Sequence, residues 1–432
     1  MNYRFETKAL HAGHTPDKDT LSRAVPVYRT SSYLFRDTEH AADLFALKEM
    51  GNIYTRIGNP TQEILENRMA ELEGGGGALA LSSGTSAIFY TIINICAHGD
   101  EFVSANNLYG GTYTMFSHIL PRMGITARFV SPNSAQNFED AINDKTRAIY
   151  VETLGNPVLD FIDLQAVAEV AKKHHIPLVV DSTFTTPWLF RPFEHGADIV
   201  VHSLTKWLGG HGTGIGGVVV DSGKFDWKDE KFTLYNEPDP SYHDIRYAHD
   251  LGDMNPLAFI MRMRLVPLRN LGACISPDNA WMFLQGLETL PLRMERHCEN
   301  AMDVAKFLDQ HSCVDWVRYP GLPDDPSHKT ASRYLKKGFG GMVVFGIRGG
   351  REAGEIFINN LELFSHLANV GDAKSLAIHP ASTTHSQLSP EEQKQGGLSP
   401  ELIRLSIGIE HVEDIKADLD AALEKSGKEC ER

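Results

Sequence analysis

An α/β protein, with a large domain on a mostly parallel sheet and a smaller α+β C-terminal domain, is the fold class this sequence predicts. Three observations carry that expectation. Short runs rich in Val, Ile and Ala recur through the first half of the chain: "ALALSS", "EFVSAN", "TARFVS", "RAIYVET", "PLVVDST", "DIVVHS" and "GVVVD". Helical patterns lie between most of them, "DLQAVAEVAKKHH" over 163–175 among them, and strands alternating with helices make a parallel sheet covered on both faces. From about residue 275 the order changes, with a long helical region ahead of "GMVVFGI", "EAGEIFINNLELF" and "LIRLSIGIE".

Taken in order, residues 1 to about 60 are rich in turns and polar groups and show no sustained periodicity. Within them "VPVYRTSSYLF" reads as extended and "EHAADLFALKEM" as a short helix. A stretch without a core of its own must pack on something, and a neighbouring subunit is the expected surface. "PTQEILENRMAELEG" then spaces Ile64, Leu65, Met69 and Leu72 as one helix face and stops at Gly74. Residues 222 to about 275 are less regular, and "ISPDNAWMFLQGLETLPLRMERHCENAMDVAKFLDQH" follows as a long or broken helical region. The expected organisation is an arm over 1–60, a large domain over 61–265 and a small domain over 266–432.

Composition narrows the function classes. Apolar residues at 42% and charged residues at 22% of 432 suit a soluble globular chain with a sizeable core. The formal charge of −15 argues against nucleic acid or an anionic membrane as the main partner, since both demand basic patches. Cys96, Cys274, Cys298, Cys313 and Cys430 are widely spread and contain no C-x-x-C pair, so reduced thiols are expected, without a metal. The start lacks the apolar core of a signal peptide and no apolar run reaches membrane-spanning length, so the expected compartment is the cytoplasm.

In open α/β sheets ligands bind beyond the carboxyl ends of the strands, where Ser83, Glu152, Asp181 and Ser203 fall. Just past one such end, "VVHSLTKWLGGHG" holds Lys206, the only default charge between Asp198 and Asp221. Its glycine run leads into a strand rather than a helix, the wrong order for a dinucleotide fingerprint, and no P-loop sequence exists. A desolvated lysine has a lowered pKa and can form a Schiff base with a carbonyl, although most lysines simply reach water. "SSGTSA" over 82–87 puts small residues at a helix start, where backbone N–H groups and the dipole attract an anion; an ordinary N-cap accounts for the same letters. Asp181 ends an apolar strand and suits a positive ring nitrogen, a metal or a helix cap, and for a metal no second and third ligand stand at sensible spacing. Lysine, strand-end acid and anion-binding helix start together are the protein's share of a pyridoxal phosphate site.

At this point "YTRIGNPT", "SSGTSA", "DSTFTTPW" and "HSLTKWLGGHG" resemble the motifs of the Cys/Met-metabolism enzymes that use pyridoxal 5'-phosphate. The resemblance runs from about residue 4 to 425 and implies the aspartate-aminotransferase type of fold, fold type I. By motif, Lys206 is similar to the lysine bonded to the cofactor, Asp181 to the acid at the ring nitrogen, and Ser203 and Thr205 to the phosphate hydroxyls. Ser83 and the backbone N–H groups of Gly84 and Thr85 join that phosphate cradle. Tyr109 resembles the ring stacked on the cofactor, and Asn156 the residue near its phenolic oxygen and the substrate. Tyr54 and Arg56 resemble a pair that reaches the neighbouring subunit's phosphate, Tyr54 also approaching the substrate there. The resemblance therefore implies a homo-oligomer, a tetramer built from dimers with shared sites. Arg404 resembles the carboxylate-binding arginine, and Ser375 the polar backbone contact beside it.

Two features point within the family. Lys374 stands where many lyase and cystathionine-synthase relatives carry an acid, and the segment after Lys206 is longer than theirs. Both resemble the O-acetylhomoserine sulfhydrylases, which implies replacement of acetate by sulfide to give homocysteine for methionine biosynthesis. Lys206 would act as the base, with Tyr109, or else Tyr54, assisting acetate departure. Cystathionine γ-synthase or methionine/cystathionine γ-lyase activity on the same scaffold is the alternative.

Overall fold

Seven strands form the larger sheet: β1 (Gly77–Leu81), β2 (Glu101–Ala105), β3 (Thr126–Val130), β4 (Thr146–Glu152), β5 (Leu178–Asp181), β6 (Ile199–Ser203) and β7 (Gly217–Asp221). The computed structural model describes residues 3–383 and 399–427. The strand order is β1-β7-β6-β5-β4-β2-β3, with β7 antiparallel to both its neighbours and the other pairs parallel. Each of the seven apolar runs in the sequence is one of these strands. Ile199, Val200 and Val201 are fully buried on both faces of β6, as the covered faces of a parallel sheet require.

The one antiparallel return matters for the site. β6 and β7 pair Ser203 with Gly217, so residues 204–216 turn back at the sheet edge and carry Lys206 on that turn. Beside it lies the helix Gly84–Ile95, capped by Ser83, whose hydroxyl accepts the Ser86 N–H at 3.0 Å. The helix Pro60–Glu73 starts with an Asn59 cap and Pro at its first turn, and ends at left-handed Gly74.

The smaller sheet holds β8 (Val314–Arg318), β9 (Met342–Ile347), β10 (Ser365–His366), β11 (Leu376–Ile378) and β12 (Leu402–Ser406) in the order β10-β11-β12-β9-β8. It has its own apolar core from Ala301 onward. The helix Leu290–Asp309 serves both cores: Leu290 and Met294 pack with the large sheet, Val304 and Leu308 with the small one. Among the described residues no helix is long and apolar enough to cross a membrane.

The N-terminal stretch is divided. Residues Phe5–His11 form a helix that buries Ala9, and Arg68 on Pro60–Glu73 donates to the Ala12 carbonyl at 3.0 Å. That first part is docked on the large domain of its own chain, unlike the coreless arm expected from the sequence. Seven residues burying a single alanine leave no periodic signal to read. Further on, Leu21, Leu34 and Met50 are 76%, 98% and 63% exposed.

Candidate active site

The anion-binding end of the site is made by close approach. A Cβ on Gly84 would lie 2.7 Å from Ser203 Cβ, so only glycine lets the helix start touch the end of β6. Gly217 meets the Ser83–Gly84 backbone in the same way, which gives part of the glycine run after Lys206 a packing reason. Ser203 donates its N–H to Thr183 Oγ1 at 2.9 Å. The Thr205 hydroxyl accepts the Gly216 N–H at 3.1 Å, fixing the turn. Thr85 is exposed beside buried Gly84, and Ser82, Ser83 and Ser86 share hydroxyl contacts of 2.9 and 3.2 Å at the same helix start. Hydroxyls and helix N–H groups therefore converge where a phosphate can be held.

Lys206 sits half-buried above this cradle, and its Nζ donates to Asn369 Oδ1 at 2.5 Å. Burial, with the Arg404 guanidinium adding repulsion, pushes its pKa down from 10.5 to about 8. The loop around it is braced by the helix Leu290–Asp309 and by the segment before β11. Arg293 donates to the Trp207 carbonyl at 2.7 Å and to the Gly286 carbonyl at 2.6 Å, and Ala373 N–H bonds the Gly210 carbonyl at 2.8 Å. Gly371, at φ +78°, lies so close to the Lys206–Trp207 backbone that a side chain there would clash.

Asp181 and Glu152 stand side by side at the ends of β5 and β4, paired in register. Asp181 Oδ1 accepts the Thr183 N–H at 2.9 Å, and Tyr150 Oη lies 3.5 Å from Oδ2. Glu152 Oε1 accepts the Tyr109 N–H at 2.8 Å. Burial raises both carboxyls above their usual range, and the Asp181 charge raises Glu152 further. The Tyr109 side chain, 52% exposed, lies at the mouth of the site.

Arg404 on β12 donates to Asn156 Oδ1 at 3.1 Å. It pairs with no carboxylate among the described residues, and burial pulls its pKa down to about 10 while nearby Tyr109 opposes the shift. Ser375 is fully buried, and its groups are engaged: the N–H donates to Glu410 Oε1 at 2.7 Å and the hydroxyl to Glu410 Oε2 at 3.0 Å. The structure thus places Ser375 in a clamp under the site rather than in the open. Among the described residues no hydrogen bond or ion pair joins Tyr54 or Arg56 to this cluster. The Arg56 guanidinium lies 5.3 Å from the Tyr54 ring centroid and donates to the Arg269 carbonyl, and Tyr54 is 41% exposed.

Sequence reasoning brought forward Lys206, Asp181, Ser203, Thr205 and Arg404, and missed Asn369, Thr183 and Glu410. The available signals were faint: Asn369 stands two residues before a left-handed glycine, and Thr183 is one hydroxyl of several in "DSTFTTPW".

The profile of the Cys/Met metabolism PLP-dependent enzymes matches residues 6–424. The chain belongs to this family. Among members of it, the O-acetyl-L-homoserine sulfhydrylase of Leptospira meyeri is 54% identical over 98% of this chain and 97% of its own. The homocysteine synthase of Schizosaccharomyces pombe is 50% identical over 97% of this chain and 98% of its own. A solved Campylobacter jejuni structure, assigned as an O-acetylhomoserine (thiol)-lyase, superposes with a TM-score of 0.94 at 40% identity, covering 98% of this chain and all of that one. That chain carries N'-pyridoxyl-lysine-5'-monophosphate at its position 205. The residues present here fit pyridoxal phosphate. The glycine-only contact of Gly84 on Ser203 opens helix N–H groups to a phosphate, Lys206 offers a desolvated amine, and Asp181 offers a buried acid for a ring nitrogen.

Proposed function

We propose that this family member carries out γ-replacement on O-acetylhomoserine: the sulfur of sulfide bonds to Cγ, the Cγ–O bond breaks, and homocysteine and acetate leave. The observation that carries the reading is the meeting of two desolvated cations without carboxylate partners among the described residues: the Lys206 amine beyond the end of β6 and the Arg404 guanidinium on β12 of the smaller sheet. The relatives at 54% and 50% identity support the acetyl substrate and the sulfide acceptor.

Pyridoxal phosphate, when bound, supplies an aldehyde carbon to which amines bond and a ring that draws electrons from the amino acid's Cα. Ser203, Thr205 and Ser83, with the N–H groups of Gly84 and Thr85, would hold its phosphate. Asp181 would serve the ring nitrogen, Asn156 the phenolic oxygen and Tyr109 the ring face. Arg404 takes the substrate carboxylate, because a desolvated fork of N–H donors is matched by a planar anion; Ser375 supports that position from below. Lys206, with a pKa near 8, is a free base often enough at neutral pH to take the proton from Cα and then Cβ, and as its ammonium form to return it. Tyr109 assists acetate departure, with Tyr54 of a neighbouring chain as the alternative.

The exposed Leu21, Leu34 and Met50, together with Tyr54 and Arg56, support an oligomer in which the N-terminal stretch completes another protomer's site. A tetramer of such dimers, a cytoplasmic setting and a division into 1–60, 61–265 and 266–432 belong to the same proposal. Residues 277–294 pack with the large-sheet core, so the small domain begins with a shared segment. Product analysis with O-acetylhomoserine, supplied with sulfide, with cysteine or with neither, tests the reaction. Homocysteine formed with sulfide supports it; cystathionine, or a keto acid without any acceptor, moves the activity to the synthase or lyase alternative.

A further inference from the structure

Glu152 remains unused by the reaction as described, although it lies against two groups that the reaction needs. We propose that Glu152 is a positioning residue, a carboxyl that stays protonated, anchors the Tyr109 backbone and leaves the negative charge of the β4–β5 pair on Asp181. The inference rests on the roles given above to Asp181 and Tyr109.

The geometry divides the pair unequally. Glu152 and Asp181 are register partners on parallel neighbouring strands, so their side chains leave the same face of the sheet as direct neighbours. Glu152 is 8% exposed, and two adjacent desolvated carboxyls do not both ionise. Asp181 has the better support for charge, the Thr183 N–H at 2.9 Å and the Tyr150 hydroxyl at 3.5 Å, and His202 on β6 is a further titratable neighbour. His202 is itself held by Glu73, both fully buried. Among the described residues Glu152 has one donor, the Tyr109 N–H at 2.8 Å, and its titratable neighbours are Asp181 and the neutral Tyr150. The proton therefore resides on Glu152. A doubly charged pair would place two negative charges where one ring nitrogen offers one positive charge. Tyr109 enters the short helix Gly110–Thr114 without a side-chain cap, which makes its N–H bond to Glu152 the local fix for its ring position.

The test uses the holoenzyme and two variants, Glu152→Gln and Glu152→Ala. Gln reproduces a neutral acid's shape and its acceptor for the Tyr109 N–H, so kcat and KM should stay within about 3-fold of wild type with the visible cofactor band unmoved. Ala removes the acceptor, and kcat should fall about 10-fold with cofactor retained. In infrared difference spectra at neutral pH, wild type should show a protonated-carboxyl C=O stretch that Glu152→Gln lacks. Thermal stability gives a third readout. An acid whose folded pKa is raised supports folding fully below its unfolded pKa and loses that support as pH rises, so Glu152→Gln should gain on wild type with increasing pH. Absence of the infrared band, a stability gap that does not grow with pH, or a Gln variant as impaired or as unfolded as Ala would each overturn the proposal. The underlying reading fails separately: a Lys206→Ala protein that keeps the visible band and turns over substrate removes the site assignment whatever Glu152 does.

Discussion

Two arginines flank Lys206, and burial lowers both to a pKa of about 10. They are otherwise opposites. Arg293 donates to the carbonyls of Trp207, Leu208 and Gly286 and to the Thr289 hydroxyl. Among the described residues Arg404 has one neutral partner, Asn156. A buried guanidinium whose donors are met is structural cement for the lysine loop. One whose donors are unmet carries a desolvation penalty that only a ligand offsets. The same residue type thus marks the scaffold on one side of Lys206 and, in the proposed function, the substrate on the other.

The largest expected effect comes from removing the amine between them. Lys206→Ala should lower turnover by ~10⁴-fold or more and abolish the visible band of the holoenzyme, with both arginine environments and thermal stability preserved. Next is Arg404→Ala. Losing a charge-assisted fork to the substrate carboxylate costs about 3 kcal/mol, or roughly 10²-fold in kcat/KM, expressed mainly in KM. Because Arg404 lacks an anionic partner among the described residues, its removal should leave the melting temperature unchanged or raise it. Arg293→Met should do the reverse: a stability loss of about 3 kcal/mol, from several carbonyls left without a donor, with KM for the substrate unchanged. An Arg404 variant that melts early, or an Arg293 variant with a weakened KM alone, would dissolve the contrast between the two.

How much of this was legible depended on how local the signal is. β6 and β7 could be read because buried strands are continuous runs of β-branched residues, and Lys206 because a lone charge stands out among glycines and apolar side chains. Arg404 could be read for the same reason, as a cation in an apolar strand. Asn369 could not, because its partner lies 163 positions away and nothing in "HLANVGD" announces an acceptor. The Ser375–Glu410 clamp spans 35 positions, again beyond local reading, so a residue matched by motif to the substrate proved to have its donors occupied. The docked helix Phe5–His11 was invisible for a different reason, being too short for a period to repeat.

The smallest effects concern the protonation of Lys206 itself, and they separate the influences of its two sides. Only the unprotonated amine attacks an aldehyde, so the rate at which cofactor-stripped protein recaptures pyridoxal phosphate should rise with pH and be half-maximal near pH 8. Removing the repelling cation by Arg404→Ala stabilises the ammonium, and the midpoint should move upward. Asn369 acts with the opposite sign. Its amide oxygen is a better acceptor for an ammonium than for an amine, so the bond to Nζ favours the charged form. Asn369→Ala should therefore shift the midpoint below 8 and lower kcat by about 5-fold, the equivalent of one hydrogen bond of ~1 kcal/mol. Asn369→Asp places a carboxylate there and should shift it above 8. Midpoints that move in the same direction for Ala and Asp would show that Asn369 merely supports the loop, whereas opposite shifts identify it as the group that receives the lysine whenever its amine is free.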